Sequence, residues 1–242
     1  MIKKLTDFSS LSGVTSPLLP LIYVDFLNNR SDTEGAFVQF VDEVPSLLFS
    51  MKGGCVNLIV LSDGFDEDEL MSFLDFFCVN QVVSDFKITL EYKEYPLYKA
   101  ENTKESFGGC DYLNSTSALG MYRGIYSLLN NGEDNFDIWY TDFCRKLNNG
   151  NGEATFLRRN DNIVSCAVSP AVFGDTAIIG GVATRGEYQK QGFASSCVCG
   201  LVDRLFSRNV NNIYLWCQDK NRSFYENNGF VPAGSVYICE EL

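Results

Sequence analysis

Histidine does not occur in this 242-residue chain. Its absence excludes every Ser-His and Cys-His nucleophile–base pair and weakens the case for a transition-metal centre. No uninterrupted apolar stretch approaches the ~20 residues a membrane span needs. Lys3 and Lys4 have no apolar run behind them, so no signal peptide is expected. Positive charge is scarce as well: 19 Lys and Arg stand against 31 Asp and Glu, for a net charge of −12. Phosphate backbones are bound by clustered basic side chains, and here they are scattered, so neither nucleic acid nor a membrane is expected as partner. What the chain does contain is 45% hydrophobic and 14% aromatic residues, a composition that argues against disorder. The length fits one large domain or two of about 100–150 residues.

Cysteine is abundant, with nine residues, an odd number. Cys78, Cys166, Cys197, Cys217 and Cys239 fall inside apolar strand or helix patterns, as expected of reduced, buried thiols in a cytoplasmic protein. Cys197-Val198-Cys199 has one intervening residue instead of two and no second pair at ligand spacing, so no zinc or other metal site is expected.

Periodicity organises the chain into elements. Leu18 to Leu27 reads as a helix after Pro17, Ala36 to Val41 as a strand, and Cys55 to Leu61 as a buried strand after Gly53-Gly54. Asp66 with Glu69 three residues on has the form of a capping box, followed by Leu70, Phe73, Leu74 and Phe77 at helical spacing. Lys87 to Tyr98 alternates as a strand does, with Pro96 expected near its end. Glu101 to Ser117, polar and carrying Gly108-Gly109, reads as a linker. Helices are expected over Ala118 to Leu129, ended by Asn130-Asn131-Gly132, and over Asp137 to Leu147. Strands follow over Ala154 to Arg159, Ile163 to Val168 and Thr176 to Thr184, the first two joined by an Asn160-Asp161-Asn162 turn. Ala194, Cys197, Val198, Leu201, Val202, Leu205 and Phe206 set the apolar face of a helix from Phe193 to Arg208. Ile213 to Cys217, Ser223 to Asn228 and Val236 to Cys239 then read as strand, short helix and strand. The strand–helix–strand order recurs in both halves and hints at a distant duplication.

Between the strand ending at Thr184 and the helix starting at Phe193 lies Gln189-Lys190-Gln191-Gly192-Phe193-Ala194. A glycine at a helix start leaves backbone N–H groups and the positive end of the helix dipole pointing outward, which suits a pyrophosphate. Alone this signal is weak, because it lacks both GxGxxG and GK[ST].

Its surroundings sharpen it. The stretch from Ile178 to Ser195 resembles the acetyl-CoA-binding motif of the GNAT N-acetyltransferase family: Arg or Gln, two residues, Gly, one residue, then Gly or Ala, met by Gln189, Gly192 and Ala194. Asn221-Arg222-Ser223-Phe224-Tyr225-Glu226-Asn227-Asn228-Gly229-Phe230 is similar to the family's second signature, an Asn ahead of Phe-Tyr-x-x-x-Gly-Phe. The two occur in family order, separated by one helix and one strand, and the resemblance covers about Asp134 to Leu242. Gly186 departs from it, since members commonly carry Pro there.

The resemblance implies a mixed α/β protein of the acyl-CoA N-acyltransferase fold, with a central, largely antiparallel mixed sheet and two GNAT-like domains in tandem. Residues 1–117 would be a degenerate copy with its linker at about 101–117, and 118–242 the catalytic domain. Backbone groups of Val182 and Thr184, flanking Ala183, would pair with the acetyl and pantetheine amides. The N–H groups of Gln189, Lys190, Gln191, Gly192, Phe193 and Ala194 would hold the pyrophosphate, with the Ser195 hydroxyl beside them and Asn221 on the pantetheine arm. Tyr225 would be the general acid for the departing CoA thiolate; a phenol with a reference pKa of about 10 matches a thiolate in basicity. The implied reaction is direct attack on acetyl-CoA by a primary amine of a small molecule or, in second place, of a protein. A binding module that retains the fold as an acyl-CoA sensor without chemistry is the other reading. No general base is identified. Cys217, between apolar neighbours, reads as core and not as a nucleophile. In the first half the corresponding turn is Ser62-Asp63-Gly64-Phe65-Asp66-Glu67-Asp68-Glu69, whose acids would repel a pyrophosphate. Acidic residues near the cleft would favour a cationic amine, and a homodimer is compatible with the reading.

Overall fold

The computed structural model describes residues 1–28, 33–101, 109–130 and 135–240. Two compact units interleave along the chain: Met1–Leu97 with Trp216–Asp219 and Ala233–Leu242, and Tyr98–Leu215 with Lys220–Pro232. The expected domains were contiguous; the packing units are not, because the last ten residues return to the first unit.

In the first unit β1 (Ile2–Lys4) is followed by α1 (Leu19–Leu27), β2 (Gly35–Val41), β3 (Val44–Lys52), β4 (Cys55–Val60), α2 (Glu67–Phe76) and β5 (Gln81–Ser84). Strands β1 to β4 form an antiparallel meander. β5 returns parallel to β4, pairing Cys55 with Gln81 through Leu58 with Ser84, so it leaves the last residues of β4 unpaired on that side. Tyr237–Glu240 pairs antiparallel with the other edge of β5. Phe37, Phe49, Leu58, Leu70, Leu74 and Val82 fill the core beneath α2.

Three sequence readings change in this unit. The alternation from Lys87 is no strand until β6 (Lys93–Ala100); the earlier part is irregular. Ile88 still buries there while Thr89 N–H goes to Glu67 Oε1, so burial supplied the alternation without a ladder. Cys78 lies past the end of α2 at φ 50° and is exposed, unlike the buried thiol expected. The capping box is half made. Asp66 Oδ1 accepts from Glu69 N–H, but the Glu69 carboxylate turns to Ile2 N–H, Gln39 Nε2 and the amino terminus, and Gln39 Oε1 takes Asp66 N–H.

The second unit contains β7 (Asp111–Tyr112), α3 (Leu119–Leu129), α4 (Phe136–Asn148), β8 (Glu153–Arg159), β9 (Asn162–Ser169), β10 (Ala171–Phe173), β11 (Thr176–Ile178), β12 (Gly181–Thr184), α5 (Phe193–Ser207), β13 (Asn212–Trp216) and α6 (Arg222–Asn227), with β14 (Phe230–Glu240) leaving it. The expected linker contains β7, paired with β8, while residues 102–108 lie outside the described residues, as do 131–134 at the expected end of α3. Asn160 and Asp161, at φ 48° and 63°, make the two-residue turn between β8 and β9, the geometry that matches strand twist. β12, β9, β8 and β7 form one antiparallel sheet, on which α5 packs. Cys197, Val198, Leu201, Val202 and Leu205 of α5 are buried, each apolar side chain contributing about 1.5–3 kcal/mol. Among the described residues no helix is long and apolar enough to cross a membrane.

Candidate active site

The expected strand from Thr176 to Thr184 is broken in two, and the break builds the site. β11 pairs in parallel with β13, whereas β12 pairs antiparallel with β9 and is the edge of its sheet. Ile179 N–H still reaches Tyr214 O of β13, at 2.8 Å. Gly180 N–H then donates to Val168 O, although Gly181 is the residue opposite Val168. Two residues thus face one, which is a β-bulge. A Cβ on Gly180 would lie 2.7 Å from Pro170 Cγ, so the close approach needs glycine. Beyond the bulge, Arg185 N–H donates to Val164 O. Alternate residues of an antiparallel pair face the same neighbour, so Gly181, Ala183 and Arg185 face β9 and the backbone groups of Val182 and Thr184 face the open edge. Without the bulge the two sets would exchange.

The loop after β12 is braced by its own side chains. Gln189 Nε2 donates to Thr184 O at 3.2 Å, and Gln191 Nε2 to Glu187 O at 2.9 Å. Of the two outward residues, Thr184 therefore has its carbonyl engaged by the loop, and its hydroxyl lies 2.8 Å from Ser165 Oγ. Lys190 and Gly192 both have positive φ, 60° and 83°, so the chain enters α5 through two left-handed residues. Gly192 caps α5 without a side-chain hydrogen bond, and no acid stands in the first turn. The N–H groups of Phe193, Ala194 and Ser195 have no intrahelical acceptor there, and the helix dipole adds to their positive potential.

Arg159 was not picked out from the sequence. From the end of β8 its guanidinium lies 5.0 Å above the Phe193 ring, and with Gln191, Gly192 and Ser196 it lines a cavity of about 520 Å³ at the helix start. The packing of α5 on β8 brings it there, so a local pattern could not have shown it. A second cavity, of about 500 Å³, lies on β12: Gly180 to Ala183 form one wall, and Leu128, Leu129 and Asn130 of α3 and its end, with Trp139 of α4, form another.

Tyr225 sits on α6, half-buried, with its ring against Phe224 and Phe230 at centroid distances of 5.0 and 5.8 Å. This short helix is fixed from both sides: buried Tyr98 donates its hydroxyl to Glu226 at 2.9 Å, and Asn228 Nδ2 donates to Phe224 O at 2.6 Å. Asn221 stands exposed at the start of α6. Gly229, at φ 89°, ends that helix. Burial pushes the Cys166 and Cys197 thiols up to about 12, so both are protonated near neutrality. Among the described residues no group of three or more acidic or thiol side chains is placed to hold a metal.

A splayed strand leading through a glycine loop into an uncapped helix is the arrangement of the acyl-CoA N-acyltransferase fold, and solved structures share it over the whole chain. An acetyltransferase from the GNAT family of Colwellia psychrerythraea superposes with a TM-score of 0.57 at 10% identity, covering 100% of both chains. The GCN5-related N-acetyltransferase of Kribbella flavida gives 0.64 at 13% identity, covering 95% of this chain and 96% of its own. A tandem GNAT protein from the clavulanic acid biosynthesis pathway gives 0.58 at 7% identity, covering 96% and 91%. Residues 121–230 match the model of the acetyltransferase (GNAT) family. No curated protein matches the chain in sequence.

Proposed function

We propose that this protein transfers an acetyl group from acetyl-CoA to a primary amine of a small molecule, by direct attack of the amine on the thioester. The observation that carries the reading is the continuous path from the outward backbone of Val182 to the uncapped N-terminus of α5. Val182 would pair with the acyl and pantetheine amides, with Thr184 N–H beyond it. The N–H groups from Gln189 to Ala194 would take the pyrophosphate, Arg159 adding a positive charge and Ser195 a hydroxyl, and Asn221 would contact the pantetheine arm. Tyr225 would hold the proton that the departing thiolate takes up. The second signature and the anchored α6 support that role. Nine free thiols fit work in a reducing cytoplasm.

The first unit supports a tandem reading, with residues 1–117 as a degenerate copy and 118–242 as the catalytic domain. Its β2–β3–β4–α2–β5 order resembles β8–β9–β12–α5–β13: antiparallel strands, a helix, then a strand that pairs in parallel with β4 in the first unit and with β11, which precedes β12, in the second.

Acetyl-CoA-dependent thermal stabilisation together with CoA release across an amine panel tests the function. Stabilisation and turnover are expected. Stabilisation without turnover on any amine would make the protein an acyl-CoA sensor, and neither signal would remove the donor assignment.

A further inference from the structure

The cavity on β12 differs in character from the loop beside it. Its helical wall is Leu128, Leu129 and Trp139, and Val168 and Pro170 close the strand side. Apart from the Asn130 amide and the Trp139 indole N–H, its polar groups are main-chain, and among the described residues no charged side chain lines it. Trp139 is held flat by Phe143, 5.1 Å away at an interplanar angle of 16°, and packs on Tyr126 at 5.4 Å, so the aromatic wall is preformed. Asn130 Nδ2 points to Tyr126 O at 3.4 Å, which leaves Oδ1 as an acceptor for an N–H donor. The volume of about 500 Å³ suits a small organic molecule. Gly181 keeps the strand side low, because a Cβ there would meet Leu129 Cδ2 at 3.0 Å.

We infer that this cavity takes the acceptor, and that the acceptor is a weakly basic primary amine, entering uncharged, on an aromatic or apolar body. The inference rests on the proposed acetyl transfer and deepens it. Val182 and Ala183 belong both to the cavity wall and to the strand that would hold the acyl group, so an amine in the cavity adjoins the thioester carbon. An ammonium would lose its hydration among these apolar side chains, and among the described residues no carboxylate lines the cavity to replace it. The chain has no histidine, and the described walls carry no titratable group to take a proton from an ammonium. A nitrogen that is already neutral needs no such base. In the step itself the amine nitrogen bonds to the acetyl carbon, the carbon–sulfur bond breaks, the thiolate gains a proton from Tyr225, and the amide nitrogen releases one to solvent.

The test compares 4-methylaniline, benzylamine and putrescine as acceptors in a CoA-release assay, with binding followed separately by Trp139 emission in a Trp216→Phe background. Trp139 and Trp216 are the only tryptophans, so the signal belongs to the cavity. The expected results are quenching by 4-methylaniline without acetyl-CoA and a kcat/KM at least tenfold above that for putrescine. Asn130→Asp, which places a carboxylate in the cavity, should shift preference at least tenfold toward benzylamine while leaving acetyl-CoA-dependent stabilisation unchanged. Putrescine as the better substrate, or no change of preference in Asn130→Asp, would overturn the assignment. So would acetyl-CoA binding with neither quenching nor turnover of 4-methylaniline. Quenching by 4-methylaniline in a protein that acetyl-CoA neither stabilises nor acylates from would remove the transferase reading and leave an apolar amine site.

Discussion

Helices α2 and α5 occupy equivalent places in the two halves, yet their N-termini have opposite chemistry. α2 begins with Asp66, whose own carboxylate accepts Glu69 N–H, and Glu67, Asp68 and Glu69 crowd its first turn. Its positive end is therefore neutralised from within the chain, and a second anion would meet repulsion. α5 begins with Gly192 in the left-handed region, with no side-chain cap and no acid. Its first N–H groups are left without a side-chain acceptor, and glycine in place of a capping side chain costs only about a few tenths of a kcal/mol. One helix thus starts on a side-chain cap with three acids in its first turn, and the other starts without a side-chain cap or an acid.

Several substitutions would break or sharpen this contrast. The largest effect is expected from Tyr225→Phe, which should lower kcat about a hundredfold while acetyl-CoA-dependent stabilisation is retained; unchanged turnover would remove the acid role. Gly192→Asp would put an acid at the start of α5, on a left-handed backbone (φ 83°) that glycine adopts without strain and Asp66 of α2 does not share. Charge repulsion together with that strain should weaken acetyl-CoA binding about thirtyfold by calorimetry. Asp66→Ala should cost the protein about 1 kcal/mol in denaturant unfolding and leave acetyl-CoA affinity unchanged. A loss of affinity there would show that the helix end in the first unit also matters to the ligand.

The smallest effect concerns pH. Partial burial raises the Glu69 carboxyl, but hydrogen bonds from the amino terminus, Ile2 and Gln39 outweigh it and hold it below its ordinary value. A carboxyl depressed in the folded state stabilises above its unfolded pKa and loses that contribution as pH falls through the folded value. Glu69→Gln should therefore flatten the acid limb of the stability profile below about pH 4, with no change in the pH dependence of turnover.

Much of the C-terminal half was legible because its signals are local. The i, i+3, i+4 apolar stripe of α5, the Asn160-Asp161 turn, the stop at Gly229 and the two motifs each depend on neighbours within one or two turns. β3, β5 and β10 were missed, and Lys87 to Glu91 was misassigned, because pairing and burial with distant segments decided them. Glu69 looked like a capping residue, but its carboxylate found Gln39 and the amino terminus from far along the sequence. Gln189 and Gln191 were read for their backbone groups, and their side chains brace the loop that presents them.

The residues alone set the proposed donor seat: glycine where only a left-handed residue fits, no acid in the following turn, and Asn221 and Tyr225 at their spacing. They also fixed the acidic opposite in the first half. Which backbone groups of β12 face outward was decided by the bulge at Gly180, since one extra residue reverses the alternation for everything after it. Arg159 beside Phe193, and Asn130 and Trp139 over β12, were likewise decided by tertiary structure, because cavities form between elements that no local pattern relates.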